Sequence, residues 1–171
     1  VTAFYFSFSH VRERFAVWLD PFSNLTDEGW QGAMGQIAIG SGGLFGKGLF
    51  NGSQTALGYV PEAPTDFIFC VLAEGLGFFG VMALIALYAA LVLICLRIAS
   101  ASCDLFGMVL VACVVGMWLF QILENIGMDL GLMPITGIPL PFVSYGSSFM
   151  VVNFALVGLI GSVWAHNVQK R

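Results

Sequence analysis

Three stretches of this chain carry no charge, and they confine it to a lipid environment. They are residues 75 to 96 (GLGFFGVMALIALYAALVLICL), 105 to 123 (LFGMVLVACVVGMWLFQIL) and 149 to 165 (FMVVNFALVGLIGSVWA). At 1.5 Å per residue, a helix of about 20 residues crosses the roughly 30 Å hydrocarbon core of a bilayer. Each run is expected to be a spanning helix, because a helix satisfies its own backbone in lipid. Composition agrees: the chain is 58% hydrophobic and 9% charged, with a mean hydropathy of +0.91. Soluble domains hold roughly 25% charged residues. The net charge of -4 rests on few, clustered groups. With no basic stripe or polybasic run, nucleic acid is not expected as a partner.

The expected class is all-α, a polytopic membrane protein. Its segments divide as 1–8 (the end of a preceding spanning helix), 9–65 (a large outer loop), 66–96 (helix) and 97–104 (inner loop). They continue as 105–128 (helix), 129–148 (outer loop), 149–165 (helix) and 166–171 (tail). The chain opens VTAFYFSF, with neither a charged n-region nor a small-residue cleavage site, so it does not read as a signal peptide. It reads as a piece of a longer protein. The closing HNVQKR and Arg97 belong on the cytoplasmic side by the positive-inside rule, which puts 9–65 and 129–148 outside. Within 9–65, residues 10 to 22 (HVRERFAVWLDPF) set Val11, Phe15 and Trp18 at helical spacing before Pro21, the pattern of an amphipathic interfacial helix.

Some features are readily assigned. GSGGLFGKG (40–48) resembles a phosphate loop, but Ser41 stands at the first required glycine and Gly48 at the Ser/Thr position, so no nucleotide site is expected. Cys70, Cys95, Cys103 and Cys113 show no CxxC or Cys/His spacing and read as small hydrophobes.

The polar groups near the spans are more informative. In YVPEAPTDFIF (59–69), Pro61 and Pro64 bracket Glu62, and Thr65 and Asp66 open the first span. Thr65 or Asp66 caps the helix, or Asp66 is a reactive carboxylate at the water–lipid boundary; residue types alone leave both open. Glu74 lies about two turns deeper, where a charge costs roughly 2.5–3.5 kcal/mol and must face protein or a watery cavity. Glu124 and Asp129 close the second span and mark the outer interface. MPITGIPLPFVSYGSS (133–148) has three prolines and no charge. Such irregular apolar backbone survives at membrane depth when it is buried in protein or lines a cavity, so it reads as a re-entrant wall of a site.

Four segments together, IAIGSGGLFGKGLFNGSQ (37–54), PEAPTDFIFCVLAEGLG (61–77), NIGM (125–128) and LMPITGIPLPFVSYGSS (132–148), resemble successive signatures of the RodA/FtsW/SpoVE family of peptidoglycan glycosyltransferases. The resemblance runs from about Arg12 to the C-terminus, and the wording is closest to RodA. It implies a ten-helix membrane enzyme whose last three helices and large outer loop lie here, so this piece alone would be inactive. The implied activity is polymerisation of lipid II by an inverting glycosyltransferase facing outward from the bacterial cell membrane. A class B penicillin-binding protein transpeptidase is the implied partner, alongside membrane lipid. The family's essential aspartate falls on Asp66, which could also hold a divalent cation, Mg or Mn; no organic cofactor is implied. Substrate contacts are expected from Glu62, Arg12, Arg14, Lys47, Thr136, Ser144 and Tyr145. Gly75 stands where a second glutamate is common, and SYGSS (144–148) is one glycine short of the family's usual SYGGSS. Two other readings remain: a lipid-linked precursor flippase using Glu74 and Glu124, and a scaffold without catalysis.

Overall fold

The computed structural model describes residues 27–48, 52, 65–102 and 104–169. These form four helices: α1 (Asp27–Ser41), α2 (Ile68–Ala101), α3 (Leu105–Asp129) and α4 (Ser147–Gln169). The last three are long and apolar enough to cross a membrane. Many of their large side chains point outward, among them Leu87, Phe106, Val151 and Phe154, as expected of helices solvated by lipid or by further membrane helices. The helix of α2 continues past residue 96 to Ala101, so Arg97 rides on it. The amphipathic pattern at 10–22 lies outside the described residues.

α2 and α3 form a hairpin whose seam is periodic. Tyr88, Val92, Cys95 and Ala99 of α2 meet Val111, Val115, Trp118 and Ile122 of α3, joined by Leu140 and by Ile160 of α4. Both sets step by four, three and four residues, which keeps one face of each helix against the other. Trp118 is fully buried and donates its indole N–H to Asn153 Oδ1 on α4 at 2.7 Å. Such interhelical bonds in membranes average about 0.6 kcal/mol.

The segment from Leu130 to Gly146 has no regular structure and is packed into the helices. Leu140 and Pro141 are buried, and Tyr88 donates its hydroxyl to the Pro141 carbonyl at 2.6 Å. Phe142 sits at φ 64°, a conformation that costs a non-glycine residue about 1–3 kcal/mol. It is held edge-on between Trp118 (5.2 Å) and Phe154 (5.8 Å). Around residues 140–142 this irregular backbone is packed into the helices.

α2 is broken near its N-terminal end at Gly77 (φ 68°, ψ -167°). An unbroken helix would bond Phe78 N–H to Glu74 O and Phe79 N–H to Gly75 O. Here the loop after α1 takes up all four groups. Phe78 and Phe79 donate to Gly43 O (2.9 Å) and Leu44 O (3.2 Å), while Glu74 O and Gly75 O accept from Lys47 N–H and Gly48 N–H, both at 3.0 Å. The backbones approach so closely that a Cβ on Gly46 or Gly77 would collide with the facing main chain. The phosphate-loop lookalike is thus a structural insert that completes a membrane helix.

α1 itself was not expected inside the outer stretch. Its buried face is small: Gly29, Gly32, Ala33, Gly35 and Ala38. That face lets α1 settle on the start of α2, where Phe67 and Cys70 meet Ala38 with Met34 and Ile135 alongside.

Candidate functional site

The start of α2, the end of α3 and the 134–146 segment converge at Asp66. The helix cap position of α2 falls on Phe67, with no side-chain cap hydrogen bond. Thr65 and Asp66 lie in the turn just before it. Asp66 is partly exposed, and its carboxylate lies against Gly137, where an added Cβ would stand 3.1 Å from Oδ2. With φ +71° at that glycine, the close approach and the left-handed backbone both favour residue 137 having no side chain.

Two consecutive α3 residues hold the opposite wall. Glu124, nearly buried, accepts the Thr136 hydroxyl at 3.0 Å. Asn125, fully buried, donates from Nδ2 to Asp66 O and to Ile138 O, each at 2.8 Å. One turn further along α3, Asp129 is 1% exposed. It sits against the Cys70 thiol and close enough to Asp66 for the two charges to interact.

The other expected site residues divide. Thr136, held by Glu124, and Tyr145 are both exposed. Ser144 is fully buried and accepts Leu140 N–H at 2.7 Å; burial removes it from a substrate-facing surface and gives it a role in closing the loop. Lys47 faces inward, with Nζ 3.2 Å from Glu74 Oε1, where Glu74 is fully buried and also receives the Ser41 hydroxyl. This cluster lies two turns along α2 from Asp66. Glu62, Arg12 and Arg14 lie outside the described residues. An apolar groove of about 350 Å³ opens between Ile39, Phe69, Ala73, Phe78, Met82 and Ile126; no ionisable side chain lines it, so it is not where a proton is moved.

Asn125 and Asp129 are the residues that sequence reasoning missed as site components. The available signal was polarity itself, since an amide and a carboxylate at the end of an apolar span need a local partner or a function.

The site is thus a half-buried carboxylate just before the N-terminus of α2, beside the backbone of Gly137 and walled by Glu124 and Asn125 of α3. Comparison with known proteins identifies the family. The chain is 41% identical over 163 residues to peptidoglycan glycosyltransferase MrdB of Escherichia coli K12, covering 95% of this chain and 44% of that protein. It is 40% identical to peptidoglycan glycosyltransferase RodA of Treponema pallidum, covering 91% of this chain and 36% of that one. The chain therefore spans less than half the length of these relatives. A chain in a solved peptidoglycan synthase complex superposes with a TM-score of 0.76 at 33% identity, covering 92% of this chain and 42% of that one. A mutant of the rod shape determining protein RodA from Thermus thermophilus gives 0.58 at 35% identity, covering 78% and 39%. The family model for FtsW, RodA and SpoVE, described as cell cycle protein, matches residues 1–169, and the chain belongs to that family.

Proposed function

We propose that the parent protein polymerises lipid II into glycan strands for cell shape or division, with Asp66 as general base. The observation that carries this reading is Asp66 itself, partly exposed beside Gly137 at the mouth of α2. In the reaction Asp66 removes the proton from the acceptor GlcNAc 4-hydroxyl. That oxygen forms a bond to the anomeric carbon of the donor MurNAc from the face opposite the leaving group. The bond to pyrophosphate breaks, and undecaprenyl pyrophosphate departs with the electron pair, inverting the centre. A positioned base of this kind contributes about 10²–10⁴-fold.

The residues present suit a divalent cation held partly by substrate. Among the described residues no three His, Cys, Asp or Glu side chains form a ligand cluster, but Mg²⁺ commonly takes one or two carboxylates plus substrate phosphates. As an alternative to acting as the base, Asp66 is the residue that would hold Mg or Mn, and the ion would then neutralise charge on the pyrophosphate. Arg12 and Arg14 remain candidate contacts for the same phosphates, as does Glu62 for the sugar. Lys47, bound to Glu74, is better suited to holding the loop than to meeting substrate. The class B penicillin-binding protein is the proposed partner, in keeping with the synthase complex among the structural matches.

Purified full-length parent with its partner, given lipid II in detergent, is expected to make glycan chains, whereas the 171-residue piece alone makes none. A flippase or scaffold would yield no polymer from either preparation. Orientation has its own test. A cysteine replacing Thr136 should react with a membrane-impermeant thiol reagent in intact cells, and one replacing Asn167 should not. The reverse pattern would turn the site toward the cytoplasm.

A further inference from the structure

The Asp66 turn and the wall facing it are 59 and 13 residues from Asn125 in the chain, yet a single amide group ties both. The two hydrogens on Nδ2 account for both bonds, one to Asp66 O and one to Ile138 O, each at 2.8 Å. Only one orientation of the amide is compatible with this. Turned by 180°, Oδ1 would face two carbonyl oxygens at the same distance, and neither would receive a bond from Asn125. The Asn125 side chain is fully buried, so its Nδ2 cannot exchange these bonds for water, and a buried donor left unpaired costs about 1–3 kcal/mol.

The geometry points to Asn125 as a positioning residue: its amide sets the gap between the Asp66 carboxylate and the Gly137 backbone. Fixing the Asp66 carbonyl restricts rotation of the peptide next to the Asp66 side chain. Fixing the Ile138 carbonyl holds the residue immediately after Gly137. The gap is narrow, since even a methyl on Gly137 would stand 3.1 Å from Asp66 Oδ2. Glu124, one residue earlier, holds Thr136, so adjacent α3 side chains grip residues 136 and 138 on either side of that glycine. α3 is firmly seated here, with Ile122, Gly127 and Met128 buried around the pair. This role rests on the reading of Asp66 as the base, and it concerns kcat, because a misplacement of about 1 Å can cost about 10²-fold in rate without touching substrate affinity.

The test uses the full-length parent with its partner and steady-state polymerisation of lipid II. Asn125→Asp keeps the side-chain shape but, when ionised, has no hydrogen to donate and sets a carboxylate against two carbonyls. Asn125→Ser keeps a single donor and adds no charge. Each should lower kcat by about 10- to 100-fold and leave KM within about twofold, with the serine variant less affected. Melting of the folded protein in detergent separates this from simple loss of stability. Unchanged kcat per folded enzyme in either variant overturns the inference, and so does a raised KM with kcat retained. Where Asn125→Asp is not recovered folded, Asn125→Ser decides by the same criteria. An inactive Asp66→Asn enzyme beside normal Asn125 variants refutes this inference alone. An active Asp66→Asn enzyme refutes the base assignment first and this inference with it.

Discussion

Asp66→Asn in the full-length parent is expected to abolish lipid II polymerisation while leaving protein level and partner binding intact. Asparagine keeps the shape of aspartate and can still accept a hydrogen bond, so the turn before α2 and its contact with Gly137 should persist. What it loses is the capacity to take a proton, and with it about 10²–10⁴-fold of rate. Alanine would be less informative, since it also empties the space beside Gly137. Glu62→Gln serves as the comparison and should give a milder defect. Polymerisation near the normal rate by the Asp66→Asn enzyme would end the general-base assignment.

The second large effect is expected at Lys47 and falls on stability. Lys47→Met deprives the fully buried Glu74 carboxylate of the ammonium 3.2 Å away. Breaking a buried ion pair from one side costs about 3–5 kcal/mol, and because the Lys47 side chain is a third exposed, the lower end applies. The readouts are the melting midpoint in detergent and the amount of protein recovered from membranes, both of which should fall. Adding Glu74→Gln removes the stranded charge and should restore most of the loss. If the single substitution is silent, or the double no better than the single, the pair is not what holds the loop in the broken helix.

The three spans were legible because an apolar run of sufficient length has few alternatives in a chain so short of charge. Asp66 was legible as a residue, through the TDFIF wording, but its surroundings were not. Gly137 lies 71 positions further along, and no periodicity links them. α1 escaped notice because four glycines weaken a helix by about 1 kcal/mol each and because small residues that permit close packing leave no apolar stripe to read. Lys47 was assigned to substrate from its charge, although Glu74 already demanded a cation at membrane depth; reading the two together would have paired them. Ser144 and Tyr145 are neighbours in one motif, but only the tyrosine is exposed, a distinction that depends on how the Pro141–Phe142 turn folds inward.

The break in α2 also bears on how such a chain is made and how it can diverge. Four backbone groups of a spanning helix are satisfied by residues 43–48, which precede it in the chain. The translating ribosome delivers the loop before the helix, so the loop must already lie on the right side of the membrane when the first part of α2 settles. Until the two meet, that part of α2 is an incomplete membrane segment with unpaired peptide groups, which lipid does not tolerate. Surface loops ordinarily gain and lose residues freely over evolutionary time. This one is measured against a helix, and a single insertion between Gly43 and Gly48 would shift its pairing with α2.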